Sequence, residues 1–345
     1  MTFRHKYAPG LENFWVVTVI SNPVRYSSRY RLFQEFKARV LRAGANLMTV
    51  ELALGDRPHE VSEPHRSALP PPSELIFPET PSLAEIRETR PGPKEIHIQL
   101  RGWDELWHKE NLINLGVARL PENWEYVAWI DGDIEFVRPD WPEETVHELQ
   151  VYKVVQMFQS AMNLGPDGEM IGQSESFAES WLQGRPLQRT AVAKKYYAHL
   201  WHSGYAWAAR REAWEGLGGL MDFAILGAAD HHMAWALFDD VLNNIPKAMP
   251  EPYKKHALEW QLRAAHHVRK DVGVVKGTIL HHWHGKIRDR RYNSRWKILV
   301  EHAYDPDRDI KRNAQGVLVF TRAGERMRND IRAYFRARNE DSIDR

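Results

Sequence analysis

The chain has 345 residues, enough for two domains or one large α/β domain, and 43% of them are apolar, with 14 Trp. Its 47 Lys and Arg against 46 Asp and Glu leave a net charge of +1, so no global field demands a polyanionic partner. With no Cys, disulfides and thiolate metal sites are excluded, and no apolar run approaches the roughly 20 residues of a membrane span.

Arg4, His5 and Lys6 near the start are not followed by a long apolar core or a small-residue cleavage site, so no signal peptide is read and a cytoplasmic location is expected. Phe14 to Ile20 (FWVVTVI) reads as a first strand, ended by Ser21, Asn22 and Pro23. Residues 28–43 carry Tyr30, Phe33, Phe36, Val40 and Leu41 at helical spacing, Gly44 stops that helix, and Asn46 to Leu52 gives a second strand. This βαβ unit implies a parallel sheet. Residues 56–95 hold nine of the 20 prolines, including Pro70, Pro71 and Pro72, and read as a long surface loop. A strand over Glu95 to Leu100 and a helix over 104–118, with Leu106, Ile113 and Val117 on one side, lead to the stretch YVAWIDGDIEF (126–136), read as another strand.

Beyond it the chain predicts a strand over Val151 to Ser160, a polar irregular region to 200, and a strand, short helix and glycine turn over 202–220. A helix opens at 231–238, another covers 255–269, and Val274 to His282 is a late strand. The remainder is basic, with a helix expected over 322–338, where Arg322, Arg326, Arg328, Arg332, Arg336 and Arg338 recur. A solvated helix face explains such a run; the alternative is a track for a phosphate backbone.

Within YVAWIDGDIEF, Asp131 and Asp133 point the same way because side chains alternate across a strand. At the carboxyl end of a parallel strand they face the crevice where α/β sheets bind ligands. Two unpaired carboxylates there repel each other and resist desolvation, and a hard divalent cation such as Mg²⁺ or Mn²⁺ relieves both problems. The plainer alternative is a turn, since Asp-Gly is a turn signal. In HHWHGK (281–286), alternation puts His282 and His284 on one side and His281 and Trp283 on the other. A neutral imidazole from here supplies a third ligand. Asp230 precedes a helical pattern, where it reads as an N-cap, with His231 and His232 flanking it. Thr18, Ser21 and Asn22 end the first strand, suited to a base and ribose, and Arg25, Arg29 and Arg31 lie near enough in sequence to face phosphate. Trp201, Tyr205 and Trp207 offer aromatic faces for a sugar ring or a base, or fill the core. No glycine-rich phosphate loop occurs, which argues against P-loop and dinucleotide chemistry.

An apolar strand, Asp-x-Asp, then Glu135, Phe136 and Pro139 resembles the metal motif of GT-A glycosyltransferases, and KENLINLGVARLP (109–121) resembles the helix that precedes it there. LWHSGYAWAARREAW, ILGAADHHMA and HHWHGKIRDRRY look like the acceptor-side strand, the base-bearing turn and the closing His segment of that fold. The resemblance covers roughly residues 14–300 and is nearest to a phage- and prophage-associated group. It implies an α/β chain with a GT-A-type, Rossmann-like, mostly parallel central sheet flanked by helices. The expected division is a domain over 1–300, with a nucleotide-binding half to about 140 and an acceptor half from 141, then a basic helical extension over 301–345.

The resemblance further implies Mn²⁺ or Mg²⁺ on Asp131, Asp133 and His284, with His282 the rival, and Lys286 on the diphosphate. Gly132, Lys109 and Asn114 become nucleotide or structural contacts, and Asp230 the base of an inverting hexosyl or pentosyl transfer from a UDP-sugar, with His231 beside the acceptor. The acceptor is left as a glycan, a small molecule or hydroxymethylated DNA, the last needing base extrusion. Alternatives are a DNA glycosyltransferase of the same fold, in the host cytoplasm if phage-encoded, and a non-catalytic nucleotide-sugar-binding module.

Overall fold

A computed structural model describes residues 10–61, 92–185, 187, 201–291 and 295–343. Arg4, His5 and Lys6, and the prolines between 62 and 91, lie outside these residues. The chain runs β1 (Phe14–Ser21), α1 (Ser27–Arg42), β2 (Asn46–Leu54), β3 (Glu95–Gly102), α2 (Lys109–Val117), β4 (Tyr126–Ile130), β5 (Ile134–Phe136) and α3 (Trp141–Val151). There follow β6 (Val154–Gln156), β7 (Ser160–Leu164), β8 (Met170–Glu175), α4 (Phe177–Leu182), β9 (Ala206–Arg210), α5 (Arg211–Leu217), α6 (Ala229–Ala236) and α7 (Glu251–His267). Last come β10 (Val272–Val274), β11 (Thr278–His281), α8 (Arg295–Glu301), α9 (Pro306–Asp309), β12 (Ile310–Arg312), β13 (Leu318–Phe320) and α10 (Arg328–Ala337).

Seven strands form the central sheet in the order β10-β6-β9-β4-β1-β2-β3. β1 is parallel to β2 and β4, β2 to β3, and β6 to β10; only β9 runs against its neighbours β4 and β6. The fold is therefore a mixed α/β fold on a mostly parallel sheet flanked by helices. Alternation along β1 explains its continuous apolar run: Trp15 and Val17 face one core, Phe14 and Val16 the other, and all four are buried. α2 crosses β1 and β2 so closely that a Cβ on Gly116 would stand 2.8 Å from Val50 Cγ2 and 2.9 Å from Val17 Cγ1.

β4 ends at Ile130, Asp131 to Asp133 turn, and β5 leaves for a second sheet ordered β5-β11-β7-β8. In that sheet His281 lies opposite Ile134 on one side and Asn163 on the other. The chain thus breaks between sheets at the Asp-Gly-Asp triplet and returns beside it at the end of β11.

Several local expectations are corrected. The stretch 151–160 is not one strand: α3 ends at Val151, and β6 and β7 are separate short strands. The region after 160 is not simply irregular, since it holds β7, β8 and α4. The helix expected from 104 begins only at Lys109, because Asp104 is engaged elsewhere, accepting from Phe320 N–H at 2.8 Å and pairing with Arg328 at 3.1 Å. The late strand stops at His281, so alternation does not extend to His282 and His284.

Candidate functional site

Between the carboxyl ends of β1 and β4, the start of α2 and the end of β11 lies a cavity of about 860 Å³. On its wall, Asp133, His281 and His284 bring one ligand atom each within 4.8 Å of one another. His284 Nε2 is 3.0 Å from Asp133 Oδ2, the two Nε2 atoms are 3.1 Å apart, and His281 Nε2 is 4.0 Å from Asp133 Oδ2. An ion bonded at roughly 2.0–2.2 Å sets neighbouring ligand atoms about 3 to 3.5 Å apart, a window that two of these three spacings meet.

Three further observations test that fit. Asp133 Oδ1 is buried with no hydrogen-bond partner among the described residues. His281 Nδ1 donates to Asn163 Oδ1 at 2.9 Å, which leaves its Nε2 as the bare nitrogen facing the site. Burial pushes both imidazoles below the usual histidine range, toward the neutral form that can ligate. Burial opposes ionisation of Asp133 too, but His284, His281 and Arg290 outweigh it and hold the carboxyl well below the usual range. A carboxylate and two neutral imidazoles fit a divalent ion.

The first Asp of the triplet is placed differently. Asp131 forms an ion pair with Lys109. Burial first, then the nearby Asp133 and Asp230, push its carboxyl up to about 6 against the pull of Lys109. Asp131 N–H donates to the carbonyl of Tyr205 at 2.8 Å, and Tyr205 holds a left-handed φ of 75°. Ala228, with φ 77°, is the other strained residue beside the cavity, at the entry to α6.

Ala228 is the N-cap of α6, so Asp230 lies in the first helical turn and is not the cap. Its Oδ1 accepts from the N–H of His231 at 2.9 Å, and its Oδ2 would be 2.3 Å from a Cβ on Gly204. Only glycine at 204 leaves the carboxylate room. Burial would raise the pKa of Asp230, but Lys109, then His202, His231 and Arg295 hold it below the usual range, so it is ionised. Burial works against the charge of Lys109, yet Asp131 leads Asp230 and Glu110 in keeping it firmly protonated.

Ser21, Arg29, Lys109, Asp131, Gly132, Asp133, Tyr205, Asp230, His231 and His284 all line the cavity. His282, expected as the rival ligand, lines it too; the other expected residues do not. Thr18 is buried and donates to Ile130 O at 3.1 Å; Asn22 forms a turn by bonding Tyr26. Asn114 holds the 219–220 turn through both Leu220 backbone groups. Trp201 donates to Leu187 O and Trp207 to Ser203 O from the core, although Trp201 stacks on His231 at 5.3 Å. Lys286 lies off the cavity wall, whereas Arg290 lies on it. Arg29 reaches the cavity but is tied to Glu340, as is Arg338. His282, the rival ligand, bonds Glu135 at 3.0 Å.

Sequence reasoning missed His281, Asn163, Arg290, Glu110 and Glu340. The register of β11 against β7 carries the signal for the first two, and sequence spacing alone does not reveal it.

No family model matches the chain, and no curated protein matches it. Similar solved structures include a Drosophila beta1,4galactosyltransferase 7 in complex with manganese, UDP-Gal and xylobiose, 10% identical, covering 90% of this chain and 93% of that one at a TM-score of 0.37. A nucleotide-diphospho-sugar transferase, assigned as such provisionally, from Desulfovibrio desulfuricans is 12% identical, covering 94% and 97% at a TM-score of 0.28. S. aureus TarS is 10% identical, covering 64% of this chain at a TM-score of 0.35; the chain spans about half of that structure, 54%.

Proposed function

We propose that the chain is a divalent-metal-dependent glycosyltransferase that moves a sugar from a nucleoside-diphosphate sugar to an acceptor hydroxyl. The convergence of Asp133, His281 and His284 on a cavity that also holds the ionised Asp230 is the observation that carries this reading. Asp133, His281 and His284 would hold Mn²⁺ or Mg²⁺. Such an ion, when bound, neutralises charge on a leaving nucleoside diphosphate. Arg290, buried beside Asp133, adds fixed positive charge at the same end.

The chain's own residues then divide the work. Ser21 and Gly132 line the donor end with backbone and small groups. The acceptor O–H gives its proton to Asp230, its oxygen bonds the anomeric carbon, and the anomeric carbon–oxygen bond breaks with its electron pair leaving on the diphosphate. A carboxylate base on the acceptor side goes with inversion. The motif resemblance favours a UDP-sugar as donor. Of the C-terminal arginines, Arg308, Arg326, Arg328, Arg332, Arg336 and Arg338 each pair with a carboxylate of the fold. That pairing weakens the case for a phosphate-backbone track.

The test is calorimetry of UDP with and without Mn²⁺, followed by a nucleotide-sugar turnover assay. Metal-dependent UDP binding and release of UDP from a UDP-sugar are expected. Asp230→Asn is expected to keep UDP–Mn²⁺ binding and lose at least about 100-fold in transfer. UDP binding indifferent to Mn²⁺, or an Asp230→Asn protein with unchanged turnover, refutes the reading.

A further inference from the structure

Glu110 is the second residue of α2 and is only 3% exposed, yet it lines the cavity. Among the described residues its carboxyl has no hydrogen-bond partner except its own backbone N–H. A helix start favours a carboxylate, but here burial dominates: it pushes the group up to about 8, against the pull of Lys109 and with a further push from Asp230. At neutral pH Glu110 is therefore mostly a neutral acid, able both to donate and to accept. Lys109 does not satisfy it, because Lys109 is paired with Asp131.

The surroundings indicate what would. Trp107 and Trp296 line the same cavity, and so does Asn244, whose Oδ1 bonds the imidazole of His232 two residues from Asp230. Trp296 lies 5.3 Å from the ring of His232, and Trp107 and Arg295 both press on Gly227. Glu110 lines the cavity together with Asp230, and Trp107 on the same wall stands beside Gly227, at the entry to the helix that carries Asp230. Indole faces accept the C–H face of a sugar ring, and carboxyl and amide groups take its hydroxyls.

We infer that Glu110 is a second acceptor-binding carboxyl beside Asp230, and that the acceptor is a carbohydrate ring with two neighbouring hydroxyls. This rests on the glycosyl-transfer reading above. Asp230 takes the proton of the attacking hydroxyl, and Glu110 hydrogen-bonds the hydroxyl next to it without exchanging covalent bonds. An acceptor with a lone hydroxyl, such as a hydroxymethylated base, would leave Glu110 buried and unmatched.

The test uses the full chain with Mn²⁺ and UDP present, and a panel of methyl pyranosides (xyloside, galactoside, glucoside, mannoside) with their monodeoxy analogues, read by calorimetry and saturation-transfer NMR. One pyranoside is expected to bind the native protein, to lose at least tenfold in affinity to Glu110→Ala, and to lose less to Glu110→Gln, whose amide also donates and accepts. Removing one ring hydroxyl from that pyranoside should weaken binding to the native protein equally, and weaken binding to Glu110→Ala no further. Both variants should still bind UDP–Mn²⁺ and melt no lower than the native protein. Equal pyranoside binding by native and variant proteins overturns the inference, as does UDP–Mn²⁺ binding with no pyranoside bound. Loss of UDP–Mn²⁺ binding in Glu110→Ala alone also overturns it, by making Glu110 a donor-side or folding residue. Failure of the native protein to bind UDP–Mn²⁺ instead sinks the underlying glycosyl-transfer reading.

Discussion

The proton on His281 is fixed by its neighbour. An amide oxygen accepts and never donates, so Asn163 Oδ1, which also receives Tyr205 Oη at 3.1 Å, keeps the hydrogen on His281 Nδ1. The bare Nε2 is then aimed at Asp133 and His284. His281→Ala is expected to weaken Mn²⁺ binding at least 100-fold, and Asn163→Ala about 10- to 100-fold through the lost orientation. His282→Ala, which removes only a contact to Glu135, should leave Mn²⁺ affinity within about twofold. Titration calorimetry with Mn²⁺ separates the three variants; equal losses in His281→Ala and His282→Ala would rule out this triad. Asp133 and His284 were readable from the chain because a strand end with two carboxylates and a His-rich segment are both unusual. His281 was not, because strand alternation was carried on to His284, past the point where the strand ends. Glu110 looked like any glutamate on a polar helix start, and nothing in its spacing shows that it is buried.

α2 sits where it does because Gly116 lets it touch the sheet. A Cβ there would meet the γ-carbons of Val17 and Val50 at under 3.0 Å, and both valines belong to buried central strands that cannot yield. Gly116→Ala is expected to destabilise the fold by about 1–3 kcal/mol by overpacking, despite alanine's better helix propensity, and urea unfolding measures it. An unchanged or raised midpoint would show that the helix can lift off the sheet without penalty. The same helix carries Glu110 at its start, so a shift should also appear as weaker pyranoside binding. β1, β2 and β4 were readable because strands buried on both faces become continuous apolar runs. α3 was not: its buried positions include Thr145, whose hydroxyl is satisfied by Trp141 O at 2.7 Å, so its inner face is not uniformly apolar. The late start of α2 was hidden for another reason, since the partner that holds Asp104 lies 216 residues away.

The end of the chain closes the cavity that its beginning opens. Glu340, buried and lining that cavity, pairs with Arg29 of α1 and with Arg338, and both guanidiniums hold it well below the usual carboxylate range against its burial. Asp341 accepts from the N–H groups of Ser27 and Ser28 at 2.8 Å, capping α1 from more than 300 residues away. Ser342 O receives Trp283 Nε1 at 2.7 Å, and a Cβ on Gly285 would meet Asn339 O at 2.7 Å. The last residues therefore press on the loop that carries His284. Three kinds of contact are lost together if the chain ends at Ala337: a buried ion-pair cluster, whose disruption costs about 3–5 kcal/mol, a helix cap worth about 1 kcal/mol, and the backing of the metal loop. Such a chain is expected to unfold at lower urea and to bind Mn²⁺ about tenfold more weakly. Asp341→Ala, which removes the cap alone, should lose only the cap's share of stability and keep its Mn²⁺ affinity. A shortened chain that binds Mn²⁺ as the full one does would show that the tail merely covers the loop. Parallel losses in stability and metal affinity would show that the two ends of the chain build one site.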